Sequence, residues 1–196
     1  MRNPIVRSLV LALALVLGVC TFSPSRGADA APAKVAKAAK ATKAERLALN
    51  AQIDGLRRVT WRWQRLMGKR RTPTNYAERR TVDADYRRWV RNLWQRRARA
   101  AAHRAAHPPR RSAWMCIHRY ERHPGQGWAT RTGNGYYGGL QMDLSFQRTY
   151  GPELLHRKGT ADKWTPIEQM WVAERAYRSG RGFYPWPNTA RYCGLI

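Results

Sequence analysis

Glu121 stands seven residues after Trp114 and four after Ile117, a spacing that puts all three on one face of a helix. A carboxyl group that shares a face with apolar side chains loses hydration. Its pKa then rises, which suits it to act as a general acid. The competing reading of Glu121 is a surface ion pair with Arg119 or Arg122. Downstream lie Trp128, the run TGNGYYGGLQ from Thr132 to Gln141, and a second carboxylate at Asp143. The glycines of that run let backbone approach a ligand, and Asn134, Tyr137 and Gln141 supply amide, hydroxyl and ring groups. His103 and His107 are four apart but have no further ligands beside them, and no glycine-rich phosphate cradle is present. No metal and no cofactor are therefore expected.

Several elements must position these residues. Residues 1–30 read as a secretory signal: Arg2 and Arg7 precede an apolar run from Leu9 to Val19, and Ala28-Asp29-Ala30 fits a cleavage site. The run is short for a membrane span, and Val19 before Cys20 does not suit a lipoprotein signal. Residues 31–44, rich in Ala and Lys, are expected to be a disordered basic tether. Over residues 45–107, Leu49, Ile53, Leu56, Trp63 and Leu66 predict one helix stopped at Gly68. Tyr86, Trp89, Val90, Leu93 and Trp94 predict a second, ended by Pro108-Pro109, and together they read as a basic αα-hairpin.

Residues 112–196 change character. Ser112 can cap the Glu121 helix, the Asn134-Gly135 pair suits a small hairpin or tight loop, and Ser145 to Tyr150 forms a short helix stopped at Gly151. Thr165-Pro166-Ile167-Glu168 starts the longest core helix of this block. Glu174, on that helix, is expected to be partly buried and paired with an arginine such as Arg175. The fold class is thus mainly α, α+β in detail.

Of 37 Lys and Arg and 12 Asp and Glu, residues 1–30 hold three Arg and one Asp, which leaves 34 against 11, a net of +23. Residues 34–111 carry 23 basic and 5 acidic side chains, whereas 112–196 carry 11 and 6. Such a chain must meet anions. Without the leader two cysteines remain, Cys116 and Cys193, and an even count in a small exported domain predicts a disulfide; two buried free thiols are the alternative.

The segment from Trp114 through Glu121 and Trp128 to the TGNGYYGGLQ run resembles the resuscitation-promoting-factor and transglycosylase-like domain of actinobacteria. The likeness continues through Ser145-Phe146, Tyr150-Gly151, the VAER run at 172–175 and Trp186-Pro187. The resemblance implies a lysozyme-like fold and cleavage of peptidoglycan between N-acetylmuramic acid and N-acetylglucosamine, by lytic transglycosylation or lysozyme-type hydrolysis. It implies that Glu121 is the acid; Trp128, Asn134, Tyr137 and Gln141 are candidate substrate contacts by their chemistry, and Asp143 is either the second carboxylate that a hydrolase needs or a structural or substrate-polarising residue. The family's cysteine immediately before the glutamate is replaced here by Tyr120, and Cys116, one helical turn back, is the candidate to take its place. Residues 122–127 lengthen the following loop.

The expected partners are peptidoglycan glycan strands and, through the basic hairpin, anionic wall polymers rather than nucleic acid. The expected molecule is a secreted monomer with no stable membrane span after processing. The rival reading is a noncatalytic basic protein that binds wall polyanions or nucleic acid through interleaved Arg and Trp.

Overall fold

The computed structural model describes residues 31–196 except Thr81 and His123-Pro124, with side chains from Lys43 onward. The expected signal, residues 1–30, lies outside the described residues. The chain divides into two units, 1–39 and 40–196; the described part of the first is helical backbone from Ala31. The helix α1 spans Ala31–Leu66, so residues 31–44, expected as a disordered tether, are helical. Ala and Lys are strong helix formers, and a helix extends from a formed turn without a second nucleation cost. The sequence reading had weighed only their lack of apolar surface.

The second unit continues with α2 (Tyr76–Arg80), α3 (Ala84–Ala106), α4 (Arg111–Glu121), β1 (Tyr136–Tyr137), β2 (Met142–Asp143), α5 (Leu144–Tyr150), α6 (Pro152–Lys158), α7 (Pro166–Ala176) and α8 (Pro187–Tyr192). The architecture is mainly α with one small antiparallel sheet, as expected. In it Tyr136 pairs with Asp143 and Tyr137 with Met142. Gly68 at φ +66° follows the end of α1, Gly151 closes α5, and Thr165 and Glu168 form the expected capping box at α7.

The basic helices differ from the expected hairpin in direction. Glu45 pairs with Arg88, Ile53 packs with Val90 and Trp94, and Leu66 shares a core with Ala105. Positions therefore advance together along α1 and α3, and the two helices run parallel, whereas an αα-hairpin is antiparallel. The connection, residues 67–83, is long enough to return along the pair; antiparallel neighbours use loops of only a few residues. Glu78 of α2 holds this return in place. Its buried carboxylate accepts from Trp94 Nε1 at 2.8 Å and lies 3.7 Å from Arg57 and 3.5 Å from Arg97.

The parallel pair is not a separate body from the C-terminal block, since residues 40–196 form one unit. Leu66, Met67 and Ala105 belong to the same buried cluster as Trp114, Ile117, Met170, Trp171 and Trp186. The last carbonyls of a helix have no partner within it and carry the negative end of its dipole. In α1 they are met from the C-terminal block. Arg175 Nη2 donates to the carbonyls of Arg65 and Leu66, both at 2.9 Å, and Arg178 Nη2 donates to that of Met67 at 2.9 Å.

Arg175 is thereby committed to α1, and Glu174 takes a different partner from the one expected. Fully buried, Glu174 accepts from the Arg110 backbone N–H at 3.0 Å, the Arg110 guanidinium at 2.8 Å and Trp114 Nε1 at 2.9 Å. A buried carboxylate is tolerated only with this degree of pairing. Ser112, expected to cap this helix, lies inside it: Arg110 holds the cap position of α4 with no side-chain cap, and Glu174 accepts from that residue's own N–H.

Candidate active site

α4 buries Trp114 and Ile117 completely and ends on Glu121, which is half-buried. The shared face read from the spacing is therefore present. Burial pushes the Glu121 carboxyl above its ordinary value, and a hydrogen bond from Thr189 Oγ1 to Glu121 Oε1 partly opposes the rise. Thr189 is buried on α8, 68 residues away in sequence, and nothing in the local pattern singled it out.

The expected disulfide is formed: Cys116 of α4 and Cys193 at the end of α8 are bonded, with Cα atoms 6.0 Å apart. The bridge ties the helix that carries the carboxyl to the helix that carries its hydrogen-bond donor. One turn from it, Tyr120, which stands at the family's cysteine position, stacks on Tyr192 with ring centroids 5.7 Å apart. The closed loop spans 77 residues, for which chain entropy alone contributes about 4 kcal/mol of stability. A Cys116→Ala/Cys193→Ala variant is expected to lose stability of that order in urea denaturation; an unchanged midpoint would show that packing of α8 suffices without the bond.

The glycine-rich segment forms a compact meander beside α4. Arg131 bridges to Tyr137, and β1 then turns through Gly138-Gly139 into β2. The Asn134 side chain accepts from Tyr136 N–H at 3.2 Å, and Thr132 Oγ1 contacts the side chains of both Asn134 and Gln141. Gln141, at φ +46°, donates through Nε2 to the Gly138 carbonyl at 2.7 Å. Asn134 and Gln141 thus shape the loop from within. Asp143 Oδ1 caps α5 by accepting from Phe146 N–H at 2.6 Å. Tyr137 leans on the core with the Arg131 guanidinium above its ring.

Gln141, Asp143 and Tyr136 line one hollow of about 170 Å³, closed by Arg181, Pro185 and Trp186. α8, which holds Thr189 against Glu121, starts at Pro187, the next residue after Trp186. Trp128 lies in a different hollow, along α4, with Cys116, His118 and Tyr120. Its ring stacks on His118 with centroids 4.0 Å apart. Burial lowers the pKa of the His118 imidazole, and in the neutral ring Nδ1 carries the proton, because the Gly139 carbonyl 2.8 Å away can only accept.

Two further residues that sequence reasoning passed over hold the meander in place. Gln169 Nε2 reaches the carbonyls of Trp128 and Ala161 at 2.8 and 2.9 Å, and Gln147 links the Met142 carbonyl to the Ala161 N–H. A Cβ on Gly139 would stand 2.5 Å from His118 Nδ1, so only glycine fits there. Glutamines off the apolar stripe give no periodic signal, which is why Gln147 and Gln169 were missed. Among the described residues no cluster of His, Cys, Asp and Glu could hold a metal, and no helix is long and apolar enough to cross a membrane.

A mainly α unit with a glycine-rich meander beside one half-buried, helix-terminal glutamate matches a known class. Residues 109–189 match the family model of the transglycosylase-like domain. Over 71 residues the chain is 39% identical to resuscitation-promoting factor Rpf1 of Corynebacterium glutamicum, covering 36% of this chain and 35% of that protein. Over 67 residues it is 39% identical to resuscitation-promoting factor RpfE of Mycobacterium tuberculosis, covering 34% and 36%. The chain spans about a third of the length of these curated relatives.

Proposed function

We propose that this protein acts outside the membrane as a muralytic enzyme, cleaving the peptidoglycan glycan strand between N-acetylmuramic acid and N-acetylglucosamine with Glu121 as the general acid. The observation that carries the proposal is the Glu121 carboxyl itself. It is half-buried at the end of an apolar helix face, raised in pKa by that burial, and oriented by Thr189. A protonated carboxyl in that position donates to the glycosidic oxygen as the bond to the sugar breaks and an oxocarbenium-like centre develops. Kinship with the transglycosylase-like family supports the choice of a glycan substrate.

The second step follows from how Asp143 is used. One of its oxygens is engaged in capping α5, which favours a route that needs no second carboxylate. In that route the 6-hydroxyl of the muramic acid residue attacks the oxocarbenium-like carbon. Its proton returns to the Glu121 carboxylate, and a 1,6-anhydro end is left. Trp128 and Gln141 are proposed as substrate contacts in two separate hollows, and Asn134 and Tyr137 as contacts from the meander between them, by their ring, hydroxyl and amide groups. Mass spectrometry of digested purified peptidoglycan tests the proposal. Products lighter by one water than the hydrolytic fragments are expected; reducing ends would establish hydrolysis, and undigested strands would remove the enzymatic reading.

A further inference from the structure

We propose that the groove between α1, residues 67–75 and α3 is a docking site for a phosphodiester-linked anionic polymer of the cell wall. The proposal rests on the reading of the protein as a wall enzyme and adds the partner that holds it there. Residues 55–77 and 86–120 contain no Asp or Glu at all. Were α1 and α3 antiparallel, the acid-free half of α1 would lie against the start of α3, beside Asp83 and Asp85. Because the helices run parallel, the two acid-free halves lie side by side. Thr60 and Gln64 of α1 therefore face Arg96, Arg97, Ala100 and Arg104 of α3 across a groove of about 240 Å³, with Thr72 closing it.

Arg96 and Arg104 are exposed on its wall, and the run Lys69-Arg70-Arg71 leads exposed into Thr72. Glu78, the carboxylate that reaches Arg97, is buried against Arg57 and Trp94 and offers no repulsion at the surface. Arginine is suited to this task, since its planar fork binds phosphate oxygens in pairs and stays charged at any physiological pH. A repeating phosphate chain also meets several such forks at once, which raises its residence time well beyond that of a free phosphate.

The aromatic rings distinguish the polymer from nucleic acid. Trp61 borders this region, its Nε1 donating to the Thr72 carbonyl at 3.0 Å, and the Arg71 guanidinium lies over its ring at 5.8 Å. That half-buried ring carries a guanidinium on its face, where single-stranded nucleic acid would need an open face for base stacking. The polymer is recognised instead by charge and by the hydroxyl and amide groups of Thr60, Gln64 and Thr72.

The test uses the chain with Glu121→Gln, so that walls are not digested, and measures binding to purified Gram-positive sacculi before and after hydrofluoric acid removes phosphodiester-linked polymers. If Glu121→Gln still cleaves walls, the catalytic assignment fails while the binding comparison on intact and stripped walls can still be read at low temperature. Arg71→Gln/Arg96→Gln/Arg104→Gln is expected to lose at least tenfold in affinity for intact walls, and stripping is expected to lower binding of the parent to the same extent. The charge-matched variant Lys43→Gln/Arg79→Gln/Arg80→Gln, all exposed positions off the groove, is expected to change affinity less than twofold. A lysine version of the groove triple, which keeps the charge, guards against a folding defect and is expected to retain most binding. Equal loss in the groove and control triples, undiminished binding to stripped walls, or tighter binding to duplex or single-stranded DNA than to the purified polymer would each overturn the proposal.

Discussion

Glu121→Gln is expected to lower glycan cleavage by about 10³-fold while leaving the fold intact, because an amide of the same shape fills the site but has no proton of suitable acidity to give. The size is that of a general acid removed from an otherwise complete groove. The sign of the pH dependence follows from the raised pKa of Glu121. Its acid form is the active one, so turnover is expected to fall as pH rises through the elevated value.

Stability follows the same group. A carboxyl whose folded pKa lies above its unfolded value binds more protons in the folded state, so its cost to stability is absent below the unfolded pKa and grows as pH rises toward the folded one. Glu121→Gln removes that cost. The variant is therefore expected to melt no lower than the parent at neutral pH, with the two converging in acid. A variant that keeps cleaving purified peptidoglycan would end the assignment; one that loses both activity and thermal stability would show that Glu121 is a structural group.

Deletion of residues 31–109 is expected to unfold what remains. The sequence suggests a cut at this point, since the charge drops sharply at Ser112 and the match to the transglycosylase-like domain begins at residue 109. The structure places Leu66, Met67 and Ala105 inside the cluster that also contains Trp114 and Trp171, and Trp171 Nε1 donates to the Ala105 carbonyl at 2.7 Å. Exposing the surfaces that Leu66 and Met67 cover costs about 2 kcal/mol for each side chain. Arg175, already deprived of much of its hydration, would also lose its acceptors on α1. The total approaches the lower end of ordinary domain stability, about 5 kcal/mol. Near-ultraviolet circular dichroism and a thermal melt of 110–196 check this: loss of the cooperative transition is expected. An unchanged melt would mean that the C-terminal block is self-sufficient and that the parallel pair only leans on it.

What the sequence determined by itself was everything set within a few residues or by a count. The apolar face carrying Glu121 follows from i, i+3 and i+7 spacing. The stops at Gly68 and Gly151 and the capping box of Thr165 and Glu168 follow from backbone chemistry at helix ends. The bond between Cys116 and Cys193 follows from those two being the cysteines outside the expected leader. What only the tertiary structure decided involves partners far apart in the chain, for which no periodicity exists. The bond between Thr189 and Glu121 spans 68 residues, and the pairing of Glu174 with Arg110 spans 64. The direction of α3 beside α1 belongs here as well. An apolar stripe on each helix is buried equally well in parallel or antiparallel pairing, so the stripes that predict the helices cannot say which way they run. The choice is made by polar groups that must be satisfied once buried: Glu78 between Arg57, Trp94 and Arg97, and the last carbonyls of α1 beneath Arg175 and Arg178.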